Sequence, residues 1–150
     1  MKRFVWRLQR LLDIKIKQEE AKRGELVSVT EQALAVRSQI MLRRASLRKM
    51  LGELSGKKAK ERLSEQEFFL KYAHVIDEEI RNLELKLSGL EKLRHLKLQE
   101  IMKIRRFRKG LERLRAESKA RFFKEEQSQE QKELDDRTIM SFACKIIQPA

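Results

Sequence analysis

The stretch from Ser64 to Arg115, SEQEFFLKYAHVIDEEIRNLELKLSGLEKLRHLKLQEIMKIRRFRKGLERLR, decides the fold. It has no proline, and apolar residues return every three or four positions. Ser64 and Glu67 have the S-x-x-E spacing of a capping box, in which each side chain bonds the other's free backbone N–H, so a helix start is expected there. Phe69, Tyr72, Ile76, Ile80, Leu83, Leu87, Leu90, Ile101, Ile104 and Leu111 then share one stripe, with a stutter between Ile76 and Ile80. A helix this long cannot bury its stripe against itself, so another helix or another copy must cover it.

The preceding chain supplies that helix. One heptad frame holds through Val5, Leu8 and Leu12 and resumes at Leu26, Val29, Ala33, Val36, Ile40, Arg43, Leu47, Met50 and Leu54. Between them it falls on Lys15, Glu19 and Lys22, and Gly24 adds a weak point, so bending or slack packing is expected around 15–25. The intervening SGKKAKERL, Ser55 to Leu63, has no apolar periodicity and reads as a turn between antiparallel neighbours. With its centre near Ala59, Phe4 and Leu8 should lie beside about Leu114 and Leu111. The first helix would be about 75 Å long at 1.5 Å per residue.

The expected fold is therefore all-α: two long helices forming an antiparallel coiled-coil hairpin, the second longer and overhanging. A single domain is expected over 1–150, with helix 1 at about 4–54, a turn at about 55–63, helix 2 at about 64–137 and a tail at 138–150. The tail, TIMSFACKIIQPA, regains apolar residues and stops at Pro149; it should fray or pack on something else. Strand-length alternation and regular turn dipeptides are missing, so no sheet is expected. LEKL at Leu90 and LERL at Leu111 share a seam position without forming a repeat.

Composition agrees. Charged residues make up 39% and aromatics 6%, a balance suited to long helices rather than a compact core. The net charge of +13 implies an acidic partner: protein face, nucleic acid or anionic membrane. Residues 1–125 carry the excess of basic groups, whereas 126–150 are net acidic. Cys144 is the one cysteine, which excludes an intramolecular disulfide and fits a reducing compartment. The basic, apolar start is broken by Arg7, Arg10, Asp13 and Lys15 and lacks a small-residue cleavage site. No apolar run approaches the roughly 20 residues that span a bilayer, so a soluble chain without a transmembrane segment is expected.

No catalytic constellation emerges. His74 and His95 are far apart and remote from Cys144, no spacing fits zinc, and no glycine loop could cradle a phosphate. Two other features stand out. Residues 103–115 hold seven basic groups and one acidic group, and the expected register brings Lys2, Arg3, Arg7 and Arg10 to the same place, making a basic docking surface or a solvated face. Phe68, Phe69, Leu70, Tyr72 and Val75 give more apolar surface than one seam can bury, making a docking patch or a plug over the turn.

The opening FVWRLQRLLDIKIKQEE, the segment GLERLR at 110–115 and the closing EQKELDD at 130–136 resemble the flagellar export protein FliJ family. Injectisome stalk proteins share that architecture. The resemblance implies a non-catalytic, cofactor-free coiled coil, similar to the central stalk of rotary ATPases. It would be cytoplasmic and peripheral to the inner membrane at the flagellar base. Implied partners are the hexameric export ATPase, which it stimulates, the cytoplasmic part of the membrane export gate, and substrate chaperones, which it escorts. Carried onto this chain, Arg3, Arg7, Arg10, Arg105, Arg106, Arg108, Lys109, Arg113 and Arg115 would meet the ATPase, and Phe68, Phe69, Tyr72 and Val75 the gate. The rival classes are a basic coiled coil that binds nucleic acid, a self-associating scaffold, and weak binding to an anionic leaflet through Phe4 and Trp6. Against nucleic acid, the basic run has one interleaved aromatic, Phe107, and no recognition module is present.

Overall fold

A computed structural model describes residues 2–147, leaving out the side chains of residues 60–62; Pro149 lies outside the described residues. The fold is the expected all-α antiparallel coiled coil, built from α1 (Gln9–Ser55) and α2 (Ala59–Ile147), with α2 the longer. No strand occurs among the described residues. Contacts divide the chain into two units, one of Glu19–Lys103 and one of Met1–Gln18 with Ile104–Ala150.

In the unit of Glu19–Lys103, the heptad stripe becomes the core. Val36, Ile40, Ile76 and Ile80 form its buried centre, with Leu47, Tyr72, Leu83, Leu87 and Leu90 packed around it. Ile76 is the most enclosed, at 1% exposure. Arg43, at a seam position, keeps its guanidinium at the edge and pairs with Glu79. Arg94, likewise in the frame, pairs with Glu91 at 3.3 Å.

The turn is shorter than expected, covering residues 56–58. Ala59 to Leu63 are strong helix formers, so α2 extends back towards Gly56, and Ser64 and Glu67 lie inside the helix rather than capping it. The Lys57 N–H donates to the Leu54 carbonyl oxygen at 3.3 Å and closes the turn. Arg43–Glu79, Glu25–Lys97 and Lys22–Glu100 join positions equidistant from residue 61, two residues beyond the expected centre.

The region expected to be slack is instead filled with charge. Lys22 bridges Glu25 at 3.3 Å and Glu100 at 3.2 Å, and Lys97 reaches Glu25 at 2.8 Å. Glu19 is buried and accepts a hydrogen bond from Arg23 at 3.0 Å. Hydrogen bonds from Lys97 and Lys22 hold the Glu25 carboxyl below its ordinary pKa. Hydrogen bonds to Glu100 and Glu25 hold the Lys22 ammonium above its own. Helix α1 runs through this region unbroken.

In the unit of Met1–Gln18 with Ile104–Ala150, Leu12 and Leu111 are buried. The chain here departs from a helix beginning near residue 4. Residues 2–6 have no regular secondary structure, and α1 starts at Gln9, whose N–H donates to the Trp6 carbonyl oxygen at 3.2 Å. Phe4, Val5 and Trp6 are weak helix formers, and first-turn N–H groups gain no intrahelical bond, so nucleation starts later.

The departure also resets the register. Arg115 pairs with Gln9 at 2.8 Å, Phe122 packs on Phe4 with ring centroids 5.5 Å apart, and Glu126 accepts from the Lys2 backbone N–H at 3.2 Å. Phe4 thus lies beside Phe122 rather than Leu114. Seven residues from Gln9 back to Lys2 span eleven of α2, roughly 16 Å, or about 2.4 Å per residue against 1.5 Å in a helix. Beyond Glu126, α2 continues to Ile147 with every residue exposed, about 31 Å of overhang at helical rise. Residues 138–147, expected to form a tail that frays or packs on something else, continue α2 as helix.

Candidate functional site

The basic surface lies in the unit of Met1–Gln18 with Ile104–Ala150. Between residues 104 and 124, α2 carries nine basic residues and two acidic ones, Glu112 and Glu117. From 125 to 136 the balance reverses, with six acidic residues against Lys132. Arg106, Lys109 and Arg113 recur at helical spacing on one exposed face of α2 and make no ion pair among the described residues. Arg105, Arg108 and Arg115 are half-buried; Arg108 donates to Glu112 at 2.7 Å.

Arg3, Arg7 and Arg10 are exposed but are not brought together as the sequence register requires. Arg10 follows Gln9, which is bonded to Arg115, so it stays with the main basic segment. Arg3 sits between the Lys2–Glu126 and Phe4–Phe122 contacts, about a dozen residues of α2 beyond Arg113. The extended course of residues 2–6 spreads the positive charge along α2 instead of gathering it at one spot. Lys15 adds a cation over the Phe107 ring, 4.9 Å from its centroid. Sequence reasoning had not paired these two, because Lys15 fell in a gap of the seam.

The aromatic candidates lie in the other unit. Phe68 is 65% exposed and stacks on Tyr72 with centroids 6.3 Å apart and rings 5° from parallel. Tyr72 is half-buried against the core, so it supports Phe68 from beneath. Phe69 is half-buried, and Val75 is exposed beside the buried Ile76. Leu51, Leu54, Phe69 and Leu70 line an open groove of about 640 Å³ next to the turn. Leu51 was missed from sequence; the signal was a leucine off the heptad frame, between the seam positions Met50 and Leu54.

His74 and His95 face solvent on α2, and Cys144 is exposed on the overhang. No group of three or more metal-ligating side chains occurs among the described residues. Among them, too, no helix is long and apolar enough to cross a membrane. What the two surfaces offer is recognition: guanidinium groups suited to carboxylates, and a stacked aromatic pair beside an apolar groove.

Comparison with protein families gives a match over residues 3–145 to the family described as Flagellar FliJ protein. No curated protein and no solved structure matches the chain.

Proposed function

The chain belongs to the flagellar FliJ family and so is a component of the flagellar export apparatus; from that premise we propose that it is a non-catalytic stalk that binds and stimulates the hexameric export ATPase. Arg10, Arg105, Arg106, Arg108, Lys109, Arg113 and Arg115 dock on acidic faces of the ring, with Arg3 and Arg7 extending the contact along α2. The observation that carries this reading is the exposed row of Arg106, Lys109 and Arg113. Asymmetric contact from such a row favours closure of one catalytic interface at a time.

Phe68, Phe69, Tyr72 and Val75 contact the export gate, a role supported by the exposed Phe68 ring on its Tyr72 support. Escort of substrate chaperones and a cytoplasmic position at the inner membrane are part of the same proposal, supported by the family match. The exposed apolar residues of the overhang, among them Leu134, Ile139 and Phe142, are the surface with room for the chaperones.

The test is ATP hydrolysis by the cognate export ATPase, titrated with this protein in the presence of unrelated RNA. Stimulation that saturates and resists RNA is expected. Arg106→Glu, Lys109→Glu and Arg113→Glu together should abolish it without loss of helicity, because those side chains are exposed and hold no ion pair among the described residues. Stimulation that survives the triple reversal overturns the docking role. Retention on RNA that collapses at high salt, without stimulation, identifies a generic polycation instead.

A further inference from the structure

Helix α1 carries a second apolar strip. Val29, Ala33, Val36 and Ile40 are buried against α2, whereas Val27, Leu34, Met41 and Leu42 are all more than half exposed. Val27, Leu34 and Met41 recur every seven residues, as in a coiled-coil seam, on the side of α1 turned away from the core. A helix apolar on two sides is ordinarily covered on both. Ser38 and Ala45 are small positions within the strip, Glu31 and Lys49 are its charged ones, Gly24 and Gly52 end it, and a Cβ at either glycine would meet nothing within 4 Å.

The geometry points to a second copy of this chain as the occupant, packed antiparallel on the same strip about a two-fold axis at Ser38. About that axis Leu34 meets Leu42, Ala35 meets Met41, Gly24 meets Gly52, and Val27 meets Lys49, whose aliphatic stem can lie along it. Glu31 comes within one helical turn of the other copy's Lys49, so the one acidic group on the strip gains a cation. An acidic partner would need a row of basic side chains along the strip, and from Gly24 to Gly52 the strip carries Lys49 near one end, with Arg48 at its edge, against Glu31. Along the same length of α1, Arg37, Arg43 and Arg44 are each paired with a glutamate of α2, which limits the repulsion between copies at short range.

The strip runs about 42 Å from Gly24 to Gly52 at helical rise. A band about 15 Å wide over that length covers on the order of 1,200 Å² summed over both copies, the lower end of specific interfaces. Association in the micromolar range is expected. It lies in the unit of Glu19–Lys103 and does not depend on the export-ATPase reading.

Sedimentation velocity of the full chain across the micromolar range should show a monomer giving way to a dimer. Leu34→Glu with Met41→Glu should weaken association at least tenfold while leaving helicity by circular dichroism unchanged, since both side chains are exposed in the monomer. In a Cys144→Ser background, Ser38→Cys should form a disulfide-linked dimer on mild oxidation. Gln39→Cys, about 100° further around the helix, should not. A monomer at every concentration, a dimer indifferent to the double variant, or equal cross-linking at 38 and 39 overturns the proposal.

Discussion

Ile76→Ala tests the core of the larger unit at its most enclosed point. Ile76 packs against Val36, Ile40 and Ile80 and is 1% exposed. The substitution removes three carbons, worth about 0.8 kcal/mol each in lost burial. Two facing helices relax little around the space left, so the cavity raises the cost to about 3–4 kcal/mol. The neighbouring Val75→Ala is the matched control, because Val75 is 51% exposed and loses little burial; it should stay within about 0.5 kcal/mol of the parent. Urea unfolding followed by circular dichroism at 222 nm measures both. If the two variants unfold alike, or Ile76→Ala costs under about 1 kcal/mol, the heptad frame is misplaced on α2 and the core does not lie where Ile76 is.

Three other outcomes follow from named contacts. Glu25 has a lowered pKa, so the stability it contributes is present above its unfolded value of 4.5 and is lost as pH falls through the folded value; Lys22 is raised, so its share is present below 10.5 and is lost as pH rises through its folded value. Urea midpoints of the parent and of Glu25→Gln should differ at pH 7 and converge towards pH 3, and a gap that persists in acid refutes the assignment. Phe4→Ala removes the ring packed on Phe122, so limited trypsin digestion should cut after Arg7 several-fold faster while cleavage within α1 is unchanged; equal rates would mean that residues 2–8 are held elsewhere. Phe68→Ala should leave the unfolding midpoint within about 0.5 kcal/mol of the parent while weakening binding to the cytoplasmic part of the export gate at least tenfold, and undiminished binding removes Phe68 from that surface.

The seam was legible because it depends on periodicity alone. Ile76, Ile80, Ile101 and Leu111 are buried where the three-four spacing puts them, and Val36 and Ile40 of the other helix pack with Ile76 and Ile80. The start of α1 was not legible, because Val5 continues the heptad frame backwards and yet is 82% exposed. There the frame competed with the low helix propensity of Phe, Val and Trp and with the cost of nucleation, and the latter prevailed. The same competition, reversed, moved the start of α2: Ala59 to Leu63 lack apolar periodicity but favour the helix, so the turn contracted to residues 56–58.

Of the candidate surfaces, residue types could be read and their grouping could not. Extended backbone advances faster than helix, so Arg3 was carried away from Arg105 to Arg115 by an amount no helical count contains. The charged gap of α1 had a second signature that went unused. Between Leu90 and Ile101 the stripe of α2 also lapses, and Lys97 and Glu100 in that lapse are the partners of Lys22 and Glu25.

The Lys22–Glu100 and Lys97–Glu25 rungs have a consequence for alignment. A purely apolar heptad seam is nearly degenerate, since sliding one helix by seven residues restores leucine against isoleucine. Sliding by seven sets Lys22 against Leu93 and Glu25 against Leu90, stranding both charges on hydrocarbon. The rungs therefore work as the wards of a lock: they add little to the grip of the two helices and leave a single position in which they can close.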